Sequence, residues 1–363
     1  MLTAALYQTF YLLLVAFLSF WITRQYATVD YMGADKGYVS YKNIAMILTV
    51  FLIFFIGFRP ANPKFQDMLN YIYDYNFILK GKPFEFTWET TNFIFDNILN
   101  YWGAAMIPMD YFFFLIAIIY FGGIFLACKK MFPDDTLLML LVYLGAFSTF
   151  SYGTNGIKAG AAASVFLLAL AYKENKVLSV LLLVASYGFH HSMAAPIAAF
   201  ILSTFVKERK YYLYGWLFCL LMAALHVTYF QSLFGGYADE SGTRYLTLNA
   251  EIKDVSGFRP DFILYSAIPI FLGEYLIRKF QIESETYSFL WRVYVTSNAV
   301  FLLCTYASFI NRIAYLSWLM YPFVLLYPFL NTDLGVNQYK YLRYAVYGHL
   351  GFTLFMSFVY YGI

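Results

Sequence analysis

Two adjacent histidines, His190 and His191, are half of the chain's four. An imidazole titrates near neutral pH and can accept the proton of an attacking hydroxyl, so either is a candidate general base. Five cations, Arg59, Lys158, Arg244, Arg259 and Arg312, fall near the ends of apolar runs, where an ionised group needs a partner or water. Arginine grips phosphate oxygens in a planar two-pronged fork, which suits a diphosphate. Asp67 is followed by Asn70, Tyr71 and Asp74, an acid, amide and phenol set able to bind sugar hydroxyls, with Asp67 also able to act as a base. In Ser241-Gly242-Thr243-Arg244-Tyr245 small residues present Arg244 and Tyr245 on a turn. Each group has an ordinary alternative. The cations can snorkel to lipid phosphates or pair with acids such as Asp67, Asp110, Asp239, Glu240 and Asp261. Lys158 can simply cap a helix, and a histidine can order the turn it occupies. His226 and His349 lack polar company and read as structural.

The elements that must position these groups are membrane helices. The chain has 363 residues, 61% of them hydrophobic and only 12% charged, about half the charged share of a soluble domain. Leu6–Trp21, Ile44–Phe58, Tyr111–Cys128 and Leu213–Phe230 approach the ~20 residues a spanning helix needs. The runs are continuous and do not alternate, which selects helices over a barrel. The expected fold is all-α: one polytopic integral membrane domain over 1–363 with about twelve transmembrane helices. The spans read as 4–22, 43–58, 111–128, 136–152, 157–172, 177–189, 192–206, 212–230, 261–277, 287–307, 313–330 and 343–361. The first lacks a basic lead-in and a cleavage site and reads as a retained helix. The short pair 177–189 and 192–206 is either two tilted crossings or a re-entrant hairpin; the charge pattern downstream favours two full crossings, with His190 and His191 at the outer turn.

Lys129-Lys130, Lys207–Lys210 and Arg278-Lys279 fall on one side, which the positive-inside rule makes cytoplasmic. The five cations then lie on the outer side with two long loops, about 59–110 and 231–260. Within the first, Phe65–Leu79 and Phe86–Tyr101 read as amphipathic interfacial stretches. Gly-Phe-Arg-Pro occurs twice, at 57–60 and 257–260, both outside. Lys158 follows Ser151-Tyr152-Gly153-Thr154-Asn155-Gly156 and opens an Ala-rich helix suited to close packing. A net charge of +3 is too small to imply a nucleic-acid partner, and Cys128, Cys219 and Cys304 form no CxxC. No spacing of ligating residues implies a metal or other cofactor.

In order along the chain, Gly57-Phe58-Arg59 precedes Asp67 and Tyr71. Thr154-Asn155-Gly156-Ile157-Lys158 opens a small-residue helix, and Phe189-His190-His191-Ser192 closes the next. Arg244-Tyr245 sits in the large outer loop, and Asn311-Arg312-Ile313-Ala314-Tyr315 begins a late span. This pattern resembles the EpsG-type, Wzy-like family of bacterial polysaccharide polymerases, which often has Arg-Gln where this chain has Lys158-Ala159. The resemblance implies a GT-C-like membrane fold in the bacterial inner membrane, with the active site facing the periplasm or exterior. It implies a glycosyltransferase that moves a glycan from undecaprenyl diphosphate to a lipid-linked repeat unit. The implied partners are those lipid-linked oligosaccharides, membrane lipids and a chain-length regulator.

Competing classes make different demands. A polyprenyl-phosphate-dependent glycosyltransferase or polymer ligase uses the same outer cations, with Asp67 as base or metal ligand. A flippase needs a hydrated charged path at mid-depth, where ionisable residues here are scarce. A membrane O-acyltransferase leaves the outer cations unexplained.

Overall fold

The computed structural model describes residues 4–29, 41–231, 258–307 and 310–362. Every regular element among them is helical. The helices are α1 (Ala4–Val29), α2 (Lys42–Gly57), α3 (Gln66–Asp74), α4 (Phe93–Ala104), α5 (Met109–Met131), α6 (Thr136–Leu144), α7 (Thr149–Thr154), α8 (Ile157–Ala171), α9 (Lys176–Phe189), α10 (Ala194–Phe205), α11 (Arg209–Ala224), α12 (Pro260–Phe280), α13 (Glu285–Leu303), α14 (Ile310–Trp318), α15 (Tyr321–Asn331) and α16 (Gln338–Leu354). Four described stretches are long and apolar enough to cross a bilayer: Leu6–Tyr26, Met109–Met131, Pro260–Phe280 and Ile310–Asn331. Asn43–Gly57, Ile157–Ala171, Lys176–Phe189 and His191–Phe205 are apolar but shorter. At ~1.5 Å per residue such lengths fall short of a hydrocarbon layer about 30 Å thick.

Local sequence explains where these helices begin and end. Asn175 caps α9 by accepting from Leu178 N–H at 3.1 Å, and Ser284 caps α13 by accepting from Tyr287 N–H at 3.2 Å. Pro260 occupies the first turn of α12, where a missing N–H costs nothing. The expected span 136–152 is divided into α6 and α7 by a turn at 145–148. Thr149 stitches this break: its hydroxyl donates to Tyr143 O at 2.7 Å, and its carbonyl accepts from Tyr120 Oη at 3.0 Å. Of the amphipathic stretches expected in the first long loop, the first is helical, with α3 continuing into a π turn over Tyr75–Leu79, and the second becomes helical only from Phe93, where α4 begins. Most of the second long loop, residues 232–257, lies outside the described residues.

The chain divides into two compact units. Unit 1 comprises residues 1–191 and 329–363. In it α5 packs on α2 and α8, α8 on α9, and α1 on α16. Close approach requires glycine: a Cβ at Gly160 would sit 2.4 Å from Tyr152 O, and one at Gly188 would meet the Phe93 and Ile94 side chains at 2.7 Å. Gly188 thereby brings the start of α4 against the end of α9. Two serines fix the register of α9 on α8. Ser179 donates to Ala169 O at 3.1 Å and Ser186 to Ala162 O at 2.8 Å, cross-helix bonds worth on the order of 1 kcal/mol each in lipid. His349, on α16, is buried and bonds Val142 O through Nε2 at 3.1 Å, a structural role.

Unit 2 comprises residues 192–328. Its α13 packs against α10, α11, α12 and α14. A buried relay runs from Trp216 Nε1 to Asn298 Oδ1 at 2.8 Å, then from Asn298 Nδ2 to Ser317 Oγ at 3.0 Å. Arg292, 1% exposed, donates through Nη2 to Ser203 O at 3.2 Å and to the Glu285 carboxylate at 2.9 Å. Buried polar groups without partners are costly, so these pairings fix how the helices of this unit meet.

Candidate functional site

At one corner of unit 1 the beginnings of α4 and α8, the end of α9 and one face of α3 bring ionisable groups together. Lys158 is the second residue of α8, and no acid occupies that helix's first turn. A cation there opposes the helix dipole, so its counter-charge must come from elsewhere. Asp96, in the first turn of α4, supplies it: Lys158 Nζ lies 3.0 Å from Asp96 Oδ1, with the side chains 20% and 25% exposed. The ammonium also stands 4.9 Å from the Phe95 ring centroid and 6.0 Å from that of Tyr71. Tyr71 and Phe95 are themselves in ring contact at 5.2 Å.

One helical turn before Asp96 stands Asn92, 8% exposed. Residues four apart on a helix have Cβ atoms about 6 Å apart, so Asn92 and Asp96 are neighbours. Asn92 Oδ1 accepts from the His191 backbone N–H at 3.0 Å and lies 3.0 Å from His191 Nδ1. The His190 and His191 rings stack with centroids 4.8 Å apart and planes 18° apart. Both are partly exposed. The corner thus holds a partly exposed ammonium, two imidazoles, a phenol and a carboxylate.

Asp67, Tyr71 and Asp74 follow one another along one face of α3, each half-buried. Burial holds the Asp74 carboxyl above its ordinary range; Lys158 pulls it down and Asp96 pushes it up. A folded state that holds this proton more tightly than the unfolded chain gains stability as pH falls through the raised value. The expected result of Lys158→Met is a further rise in the Asp74 midpoint, because a nearby positive charge is lost. Carboxyl titration by NMR checks it, and an unmoved midpoint would separate the two groups.

Arg59 behaves differently. It is 2% exposed. Nη1 donates to Ile56 O at 2.9 Å and Nη2 to Thr154 O at 2.7 Å. The Phe65 and Phe113 rings each lie 5.4 Å from Cζ. Nε is buried with no hydrogen-bond partner among the described residues. Burial lowers its pKa to about 10, which still leaves it charged at neutral pH. The guanidinium is thus committed to backbone carbonyls, and one of them begins the segment leading to Lys158.

The other expected members do not belong to the described part of unit 1. Arg259, in unit 2, makes a two-pronged pair with Asp261 at 2.9 and 2.5 Å and stands 4.0 Å from the Phe262 ring. Arg312 is exposed on α14 of the same unit. Arg244 and Tyr245 lie outside the described residues. Asp96 and Asn92 were missed by sequence reasoning. The available signal was an Asn and an Asp four apart, opening the polar face of an amphipathic stretch. Among the described residues no group of three or more His, Cys, Asp or Glu side chains is placed to hold a metal ion.

Apolar helices of spanning length, with a charged and aromatic cluster where helix ends meet, define a helical membrane protein with a polar site. The comparison with known families is more specific. The EpsG family model matches residues 42–362, and the chain belongs to that family, which is associated with glycosyltransferase-like polysaccharide polymerases. No curated protein and no solved structure matches the chain.

Proposed function

We propose that this protein is a polysaccharide polymerase of the inner membrane, a GT-C-like fold crossing the bilayer about twelve times, with its site on the outer face. It transfers a glycan from undecaprenyl diphosphate to the non-reducing end of a lipid-linked repeat unit. The observation that carries this reading is the pairing of Lys158–Asp96 with Asn92–His191 one turn apart on α4, in a chain of the EpsG family.

The residues divide the work. A diphosphate is already a good leaving group, so the main demand is stabilising charge as the glycosidic C–O bond breaks. Lys158 does this as a fixed cation, with no metal ion required. Asp96 holds the ammonium in place until an anion competes for it. His191 takes the acceptor hydroxyl proton, and His190 stacks against it and shares the site. Tyr71 and Asp67, on one face of α3, bind sugar hydroxyls. Arg59 acts from behind by holding the Thr154 carbonyl and hence the entry to α8. Arg312 and Arg244 are proposed phosphate-binding cations, with Tyr245 beside the latter. Arg259, already engaged by Asp261, offers phosphate less. A chain-length regulator is the proposed protein partner.

The deciding experiment is a gel of lipid-linked glycans from a deletion strain complemented with variants. A ladder that collapses to single repeat units supports polymerisation; absence of outer-face units altogether would mean flipping instead. His191→Ala is expected to cut turnover by 10²–10⁴-fold, the usual share of a general base, with lipid-linked acceptor still bound. Undiminished turnover would remove the base assignment.

A further inference from the structure

Pro83-Phe84-Glu85-Phe86-Thr87-Trp88 carries an aromatic ring at every second position. All three rings are exposed, Trp88 by 71% and Phe86 by 53%. Holding large apolar rings in the open costs free energy, so their placement needs a structural cause. The segment is a strap laid back along α4 and pinned at two levels. Gly81 N–H donates to Gly103 O at 3.0 Å, near the end of α4. Closer to the start of that helix, the buried Asn97 amide grips Thr87 both ways. Its Oδ1 accepts from the Thr87 N–H at 3.0 Å and its Nδ2 donates to the Thr87 carbonyl at 2.7 Å. Phe84 meets Tyr101 with ring centroids 5.8 Å apart. The Trp88 ring stands 4.8 Å from the rings of both Phe86 and Phe93. Phe93 packs where Gly188 lacks a Cβ, two residues before His190: a Cβ there would lie 2.7 Å from Phe93 Cζ. The aromatic row therefore runs from Tyr101 to the histidine end of α9, eight residues of α4 or about 12 Å.

The backbone argues against acyl chains as the cover of this row. Among the described residues Phe84, Glu85 and Phe86 make no hydrogen bond through the backbone, and bare N–H and C=O groups are not tolerated against hydrocarbon. The row must stand in water. Charge argues against the anionic phosphates of a lipid surface, which draw Lys and Arg. The charged residues interleaved with the rings are Glu85 and Glu89, both exposed, whereas Lys80 and Lys82 lie at the turn by Gly103, away from the histidines. A sugar ring meets both conditions. Its C–H face is apolar and lies flat on an aromatic ring, and its rim of hydroxyls donates to water and to carboxylates. Resting on the polymerase reading above, we propose that Phe84, Phe86 and Trp88 form a track for the sugar rings of a polysaccharide whose reacting end lies at the Lys158–His191 corner. Asn97 is the positioning residue that fixes the strap. The track supplies binding energy away from the reacting bond, so a longer chain is held more firmly while its end reacts.

The test uses the full-length protein in lipid nanodiscs. The probes are soluble oligosaccharides of increasing length, cut by partial acid hydrolysis from the host strain's surface polysaccharide. Affinities are read by calorimetry. The fluorescence difference between wild type and Trp88→Phe isolates Trp88 among the six tryptophans. That difference is expected to shift when oligosaccharide is added and to survive lipids brominated on their acyl chains. Affinity is expected to tighten with oligosaccharide length. Trp88→Ala leaves the Asn97 grip on the Thr87 backbone in place, and should weaken the longer oligosaccharides about tenfold. Asn97→Ala keeps all three rings but frees the strap, and should weaken them by a similar factor. Quenching of Trp88 by brominated acyl chains would overturn the proposal in favour of a lipid anchor. So would an oligosaccharide affinity unchanged in Trp88→Ala, or no binding to the wild type. None of these measurements needs turnover. A glycan ladder collapsed in the deletion strain beside unchanged affinities sinks the track alone, whereas a normal ladder in that strain sinks the polymerase reading and leaves the track without its substrate.

Discussion

Arg59→Ala is expected to unfold at a markedly lower temperature in detergent, with the loss of stability preceding any loss of chemistry. The substitution removes the Arg59 donor to the Thr154 carbonyl and vacates the space between Phe65 and Phe113. Hydrogen bonds to a charged group contribute roughly 1.5–3 kcal/mol each, and the cavity left by a truncated buried side chain adds to the loss. Arg59→Met behaves differently. It fills most of the space, so the cavity cost is largely avoided and the loss is confined to the two bonds to the Ile56 and Thr154 carbonyls. It should therefore insert, stay folded and retain polymer. Fluorescence-detected size exclusion after a heat ramp, with the glycan gel beside it, decides the matter. A fully stable Arg59→Met that makes no polymer would show that the guanidinium itself meets phosphate.

Lys158→Ala is expected to show the reverse: folding intact and long polymer gone. The Lys158–Asp96 pair is partly exposed, so its contribution to stability is on the order of 1 kcal/mol or less. A fixed charge aimed at a developing anion is worth about 10²–10³ in turnover. Lys158→Arg keeps the charge and adds the two-pronged grip, and should retain polymer. Turnover assays with lipid-linked repeat units check all three proteins. Undiminished turnover in Lys158→Ala would remove the proposed role of this cation.

How much of this was legible beforehand differs from group to group. Hydropathy found the helices because an apolar run must satisfy its own backbone bonds in lipid, and α2, α5, α8 and α9 lie close to where the sequence places them. It did not find the turn between α6 and α7, because that stretch stays apolar and the bonds repairing the break come from Thr149 and Tyr120. Lys158 was visible as a cation on the side opposite the tight Lys and Arg clusters in the span assignment read from the sequence, and the histidine pair was visible as a rarity. Their partners were not. Asp96 is 62 positions from Lys158 and Asn92 is 99 from His191, and no local pattern carries pairings across such distances. Arg59 was legible as a charge but not as a buried one, since its enclosure depends on Phe65 and Phe113 arriving from separate segments.

The two serine bonds between α9 and α8 have a mechanical consequence. Ser179 and Ser186 grip carbonyls of the neighbouring helix at two levels. Sliding α9 by one residue while keeping its groove would turn its side chains by about 100° and release both grips at once. The helix pair therefore passes on a pull instead of absorbing it. Any displacement of the pair carries the imidazoles at the end of α9 and the ammonium at the start of α8 as one block, and the spacing between them is kept.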